Sequence, residues 1–355
     1  MTPQRFASVD ALRGLTVAAM LLVNNPGDWG HVYAPLLHAQ WNGCTPTDLV
    51  FPFFLFVVGV SVALGIVPAL ESGADPARIR RRILARGAKI VALGLLIAFV
   101  AQHSFGREWF RPWGVLQRIG VCFVVAGWFV TATRPRAQWA AIVVLLLGYW
   151  ALMAWGGSYA PYDNLASRVD TTLLGHHVYD FDPASRRGHD PEGLLSTLPA
   201  IATVLLGVRV GAWLRQGRVR QMALAGVVAL LLGGAWSFAF PINKNLWTSS
   251  YVLWTGGWAM LALAAAHVLI DRWCWPALGR RFGVNAIAAF AGSGLLLCAL
   301  SALGWWSAIY QVGYAGWMTP RFGPYVPSLA FALSYVLLWW LIVWFMDRRG
   351  WHLKI

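Results

Sequence analysis

Leu49-Val-Phe-Pro-Phe-Phe-Leu-Phe-Val-Val-Gly-Val-Ser-Val-Ala-Leu-Gly-Ile-Val67 runs for nineteen residues without a charge. About 20 apolar residues in a helix cross the roughly 30 Å hydrocarbon core of a bilayer. This stretch is therefore a membrane span, placed at 48–68. Working outward, runs of the same kind lie at 10–25, 87–103, 114–132, 138–156, 194–213, 220–240, 250–270, 284–304 and 326–346. The composition agrees. The chain is 58% hydrophobic and 12% charged, against about 25% charged in soluble domains. The expected fold is an all-α polytopic membrane protein, a bundle of about ten transmembrane helices forming one domain over residues 1–355. No internal repeat, low-complexity tract or soluble domain interrupts it. The basic N-terminus before the first run imitates a signal peptide, but no A-x-A cleavage site follows. The segment is expected to stay as the first helix.

The net charge of +14 invites a nucleic-acid partner. The positive residues, however, follow the connections between apolar runs, which is the pattern that orients membrane proteins. No nucleic acid is expected, and the partner of this surface is the lipid bilayer. One set of connections, with both termini, carries 20 of the 28 Lys and Arg, and the other carries 8. The basic set includes Arg5, Arg13, Arg78, Arg80, Arg81, Arg82, Arg86 and Lys354. Ten spans put both termini on one side, and the basic excess makes that side cytoplasmic. A multi-pass protein of a bacterial inner membrane is expected. Its longer, chemically varied loops, 26–47, 157–193 and 304–325, then lie outside.

The first helix is short. Ser8 to Asn24 spans roughly 24 Å at 1.5 Å per residue, less than the bilayer core. Asn24 and Asn25 are thus expected at the outer membrane edge, facing protein or a water-filled cavity. The loop beyond holds His38, and Thr45-Pro46-Thr47-Asp48 reads as a helix start, with Thr45 as N-cap and Asp48 as the reciprocal acid. A histidine titrates near neutrality and serves as proton acceptor or acyl carrier. Position alone leaves His38 an ordinary loop histidine. Cys44, Cys122, Cys274 and Cys298 form no C-x-x-C and have no zinc-type spacing to histidine. Neither a disulfide framework nor a metal site is expected.

Longer motifs alter the weight on His38. These are Ser8-x-Asp10-x-x-Arg13-Gly14, Met20-x-x-Val23-Asn24, His38-x-x-Trp41-Asn42-Gly43-x-Thr45-x-x-Asp48, Arg111-Pro-x-Gly-Val-Leu-Gln117-Arg118, Asp190-Pro-Glu192-Gly, Pro241-Ile-Asn243-Lys244-Asn-Leu-Trp247 and Gly283-Val-Asn285. Taken in order, they resemble the catalytic domain of the heparan-α-glucosaminide N-acetyltransferase family and its bacterial members. The resemblance implies acetyl-CoA from the cytosol as cosubstrate and an amino sugar as acceptor on the other face. It implies His38 as catalytic residue and maps the family's asparagine onto Asn24, here given the role of oxyanion donor. The stretch between Asn24 and His38 departs from animal members, with Pro26 and Asp28 replacing a glycine-rich run. No counterpart of their large luminal domain is present in this sequence, so heparan sulfate itself is not the expected acceptor.

The remaining candidates keep two readings each. Arg13 pairs with a CoA phosphate or with Asp10, and Asp10 favours the dipole of the first helix. Asn285 joins the cofactor group or caps the ninth helix. Trp41, Asn42, Asp48, Gln117, Arg118, Glu192, Lys244 and Trp247 are substrate-side candidates. Arg118 lines the acceptor cavity or pairs with Glu192 or Asp48. Trp247 stacks on a sugar or anchors at the interface. A homodimer is left open. The rival functions are an amino-sugar transporter and a noncatalytic scaffold. A transporter calls for repeat symmetry and a midplane site, and neither is visible in the sequence.

Overall fold

The computed structural model describes residues 5–353. Lys354, one of the charges used for orientation, lies outside the described residues. Nine helical segments among the described residues are long and apolar enough to cross a membrane. They contain α1 (Ala7–Asn24), α2 (Val50–Glu71), α3 (Pro76–Ser104), α4 (Val115–Ala132) and α5 (Pro135–Trp155). After a short α6 (Leu165–Leu174) come α7 (Thr197–Arg215), α8 (Val219–Trp236) and α9 (Ser249–Ala266). A wider π-type turn, His267–Arg272, extends α9. The short α10 (Arg280–Val284) precedes α11 (Ala286–Ala302), and the chain closes with α12 (Trp305–Tyr310), α13 (Gly316–Phe322) and α14 (Tyr325–Arg348). The expected helical bundle is present, with up to ten spans.

Three expectations change. The span expected at 284–304 is α11, and it does not end in a loop. After Gly304 (φ +69°) the chain turns by 92° into helical Trp305–Phe322. This segment carries one charge, Arg321, and several Trp and Tyr, side chains that favour a membrane–water boundary. Helix α3 begins eleven residues earlier than the apolar run because charge bars a bilayer core but not a helix. Asp75 caps it by accepting from the Ala77 and Arg78 amides at 2.9 and 3.2 Å, with Pro76 in the first turn. The 157–193 connection is built rather than open. It contains α6 and an antiparallel hairpin, β1 (Asp180–Asp182) with β2 (Arg187–His189), pairing Asp180 with His189.

Close approaches set the frame around the site. A Cβ on Gly59 of α2 would sit 1.9 Å from the Val204 carbonyl oxygen, and one on Gly207 of α7 would sit 2.0 Å from that of Phe56. Only glycine lets these two backbones meet, the usual device where apolar lipid offers no hydrophobic drive. Helix α1 is fixed differently. Its first turn lacks a local side-chain cap, so the expected Ser8 start is satisfied from afar. Asp271 accepts from the Ser8 amide at 3.1 Å and from the Ser8 hydroxyl, and also meets His267 Nδ1 at 2.8 Å.

Candidate active site

The segment before α2 makes two uses of one carboxylate. Asp48 Oδ2 accepts from the Ala39 amide (3.0 Å), the Thr45 amide (2.9 Å) and Thr45 Oγ1 (3.1 Å), completing the capping box. Asp48 Oδ1 is left for His38 Nδ1, at 2.6 Å. The Asp48 side chain is 1% exposed and that of His38 47%. The two readings of Asp48 therefore hold together: one oxygen caps, and the other orients His38. An ionised carboxylate only accepts, so the proton of a neutral imidazole sits on Nδ1 and the Nε2 lone pair faces out. Tyr251 holds the turn from below, its hydroxyl donating to the Asp48 carbonyl at 2.5 Å.

Lys244 brings its Nζ to 3.1 Å from His38 Nε2. The loop that carries it is clamped to the His38 loop. Gly43 N donates to the Ile242 carbonyl at 2.8 Å, and Asn243 Nδ2 donates to Asn42 Oδ1 at 3.1 Å. Burial lowers the pKa of the Lys244 ammonium, while Glu192 and Asp48 pull it back up. Asn42 is thus a strut between loops. Trp41 also ties loops together, with Nε1 donating to the Tyr159 carbonyl at 2.9 Å and its ring 5.0 Å from His189.

Trp247 departs from both of its expected roles. It is fully buried, its indole N–H donates to Thr203 Oγ1 at 3.1 Å, and the Arg118 guanidinium lies 5.1 Å from its ring. With Phe51 and Tyr251 rings also against it, no face is open to a sugar or to lipid headgroups. Trp247 holds φ at +50°, a backbone strain that this enclosure maintains.

Arg118 also differs from expectation. It is fully buried and pairs with neither Glu192 nor Asp48. Its Nη2 donates to the Gly193 carbonyl at 2.9 Å and to Ser196 Oγ, while Nε and Nη1 have no partner among the described residues. The acids belong to Arg111 instead. Its Nε and Nη2 grip Asp190 at 2.8 and 2.6 Å, and Nη2 reaches Glu192 at 2.7 Å. Burial alone would lower the Arg111 pKa, but Asp190 and then Glu192 raise it. Burial pushes Glu192 up, yet Arg111 and Lys244 hold it below the usual carboxylate value. Nearby, burial lowers His189 to about 4 and raises Asp170 to about 6.

Asn24 ends α1 with its side chain exposed, and it makes no hydrogen bond to His38 among the described residues. The buried neighbour is Asn25, whose Nδ2 turns back to the Leu21 carbonyl at 2.7 Å. At the other end of α1, Arg13 donates to Asp10 (2.9 Å), the Gly283 carbonyl (3.1 Å) and Ser61 Oγ (2.8 Å). It also lines a cavity of about 480 Å³ together with Ser61, Arg82, Arg86, Leu116 and Ala286. Along α2 this cavity is lined from Ala69 to Phe54, roughly 22 Å at 1.5 Å per residue. Phe54 is only six residues, about 9 Å along a helix, from Asp48. Asn285 is fully buried beside the cavity lining. Its Oδ1 accepts from the Leu353 amide at 3.2 Å and its Nδ2 lacks a partner among the described residues, so it makes no side-chain cap.

A family profile described as "Heparan-alpha-glucosaminide N-acetyltransferase, catalytic" matches residues 5–240. The chain belongs to this family. It is 28% identical over 354 residues to "Heparan-alpha-glucosaminide N-acetyltransferase" of Homo sapiens, covering 82% of this chain and 53% of the human protein. It is likewise 28% identical over 357 residues to the Mus musculus protein of that name, covering 82% and 54%. The chain spans about half the length of these curated relatives. The matched residues carry α1 to α8, hence His38, Asp48 and the arginine-lined cavity's α1–α4 walls, whereas Lys244, Trp247 and Asn285 lie beyond them. Within the family frame, three features escaped the sequence reading. Arg111 and Asp190 stand 79 positions apart, Tyr251 meets Asp48 across 203 positions, and Arg82 and Arg86 looked like orientation charges alone. No local pattern announces any of them.

Proposed function

We propose that this protein is a single-domain, transmembrane, acetyl-CoA-dependent N-acetyltransferase of the bacterial inner membrane. It passes the acetyl group from a cytoplasmic donor to the amino group of an amino sugar on the outer side. The observation that carries the reading is the Asp48–His38 hydrogen bond at 2.6 Å, at the opposite end of the bundle from the arginines of the cavity. The basic excess beside Arg13, Arg82 and Arg86 supports a cytoplasmic position for that end and for both termini.

In this reading acetyl-CoA enters the 480 Å³ cavity. Arg13, Arg82 and Arg86 line it and meet the phosphates by charge-assisted hydrogen bonds. The apolar walls on α2, α3 and α4 carry the pantetheine arm toward Asp48. The acceptor's ammonium takes a place against His38 Nε2, where Lys244 already sets an ammonium at 3.1 Å. His38 removes one proton as general base, and Asp48 stabilises the imidazolium that forms. The free amine attacks the thioester carbonyl. The tetrahedral oxygen is stabilised by a donor, the role kept for Asn24. The C–S bond then breaks, CoA leaves as thiolate and takes a proton, and the amide N–H remains after the second amine proton is lost. Trp41, Asn42, Gln117, Arg118, Glu192 and Trp247 shape the acceptor side, most of them by holding the loops. Asp10 and Asn285 fix the walls of the donor cavity.

The test is transfer from radiolabelled acetyl-CoA to a panel of amino sugars in proteoliposomes, with His38→Ala as control. Loss of transfer in the variant, with acetyl-CoA binding retained, supports the mechanism. Normal transfer by His38→Ala, or sugar uptake by vesicles that contain no acetyl-CoA, sinks it. Label retained on wild-type protein without acceptor would replace the general base with an acetyl-histidine.

A further inference from the structure

A second cavity, of about 170 Å³, opens between the far end of α3, residues 107–114 and the first turn of α4, with Phe290 of α11 behind it. Leu116 lines both this cavity and the arginine-lined one, so the two spaces share a wall. The second cavity collects polar groups that the protein leaves unused. Gln117 is 3% exposed, and its amide makes no side-chain hydrogen bond among the described residues. Gly94 and Gly114 give that amide room, since a Cβ on either would lie 2.6 or 3.3 Å from Gln117 Oε1. The Trp113 indole N–H is buried with no partner among the described residues. Native folds leave few such groups unsatisfied, and those that remain call for an explanation.

The charge is equally one-sided. Helix α4 starts at Gly114, which has no side chain to cap it, so the first-turn amides and the positive end of the helix dipole face the cavity. Arg107 lines the same space and forms no ion pair among the described residues. Arg111 in the wall ion-pairs with Asp190 and Glu192, and neither acid lines the cavity. Trp109 adds a second aromatic ring to the lining. Aromatic faces, amide donors and an uncompensated guanidinium at a helix N-terminus suit one ligand chemistry.

We propose that this cavity binds a monosaccharide unit bearing an anionic group, with the ring against Trp109 and Trp113 and the anion at Arg107 and the α4 N-terminus. Its place as the acceptor subsite rests on the acetyltransferase reading; the binding itself does not. Arg111 joins the cavity to Glu192, which lies on the Lys244 and His38 side, and Leu116 joins it to the donor space.

The experiment is titration calorimetry on the full chain in phosphatidylcholine nanodiscs without acetyl-CoA. Glucosamine, glucosamine 6-phosphate, glucose 6-phosphate and inorganic phosphate are compared. Glucosamine 6-phosphate should bind about tenfold or more tighter than glucosamine, the scale of one charge-assisted hydrogen bond. Arg107→Gln should erase that preference, and Trp113→Phe, which removes the indole N–H and leaves a smaller ring against the sugar, should weaken both sugars several-fold. Binding should survive in His38→Ala. Equal affinity for charged and neutral sugars overturns the proposal, as does inorganic phosphate binding as tightly as glucosamine 6-phosphate. Phosphatidylglycerol binding in nanodiscs that contain this lipid, lost in Arg107→Gln, with no sugar binding by the wild type, assigns the cavity to a lipid headgroup and also overturns it. Sugar-phosphate binding without any transfer keeps the site and removes the acetyltransferase reading. Transfer whose acceptor KM ignores both variants does the reverse.

Discussion

Asp48→Asn is the perturbation that best separates capping from catalysis. Asp48 Oδ2 meets three donors, from Ala39 and Thr45, and Oδ1 meets only His38 Nδ1. An asparagine can keep its carbonyl oxygen toward the three donors and turn its NH2 toward His38. The cap then survives, but Nδ1 faces a donor instead of an acceptor. The imidazole proton moves to Nε2, and the lone pair that should receive the acceptor's proton is lost. The stabilisation of the imidazolium goes as well, about 1.5–3 kcal/mol for a hydrogen bond to a charged group, or roughly 10- to 150-fold in rate. General-base catalysis as a whole contributes about 10²–10⁴-fold. The same exchange in a serine-protease triad costs about 10⁴. The expected fall in kcat for Asp48→Asn is therefore about 10²–10⁴-fold, with the acetyl-CoA Kd unchanged because the donor cavity is lined elsewhere. Thr45→Ala is the matched control. It removes the hydroxyl donor to Asp48 Oδ2 and to the Leu37 carbonyl, and should cost about 1 kcal/mol of stability with kcat within a few-fold. The assay is initial-rate transfer in proteoliposomes, with thermal unfolding in detergent for both variants. An Asp48→Asn protein within a few-fold of wild-type kcat would refute the orienting role and leave Asp48 as a cap alone.

Other outcomes follow from the same geometry. Arg82→Ala and Arg86→Ala should each raise the KM for acetyl-CoA about tenfold, the scale of a lost phosphate contact, with the acceptor KM unchanged; a donor titration at constant acceptor checks this. Gly207→Ala places a Cβ 2.0 Å from the Phe56 carbonyl oxygen and should destabilise the protein by about 1–3 kcal/mol or more, seen as a lower melting temperature. For Asp170, burial raises the folded pKa from 3.8 to about 6, so the fold favours its protonated form and loses stability as pH rises from about 4 to about 6. Asp170→Asn should accordingly raise the melting temperature above pH 6, by the equivalent of up to about 3 kcal/mol, and give no gain at pH 4. Equal gains at both values would show that the carboxyl's charge is not the cause.

The architecture was legible because a bilayer imposes it. A run such as 49–67 has no state of low free energy other than a helix in lipid or a buried core. Capping chemistry at Thr45–Asp48 is equally local, and the capping box forms as read. Apolar runs alone missed the charged start of α3 and the helical stretch Trp305–Phe322, since helices form in both for reasons other than apolarity. At the site, the sequence supplied His38 through ordered motifs, but nothing in spacing told that Asp48 would orient it.

The sequence by itself determined that this chain spans a membrane, roughly where its helices run and which ordered motifs it carries. Tertiary structure alone decided the partners. Asp48 Oδ1 is free for His38 because three local donors occupy Oδ2. Lys244 reaches His38 across 206 positions only because Asn42 and Asn243 clamp two loops together. Arg111 rather than Arg118 takes the acids, and Trp247 is sealed under Arg118 instead of facing a ligand. The physical reason is range. Span and cap follow from interactions within a few residues and with the surrounding solvent. Ion pairs, cavities and the direction of a lone pair depend on how distant helices pack, which no local periodicity encodes.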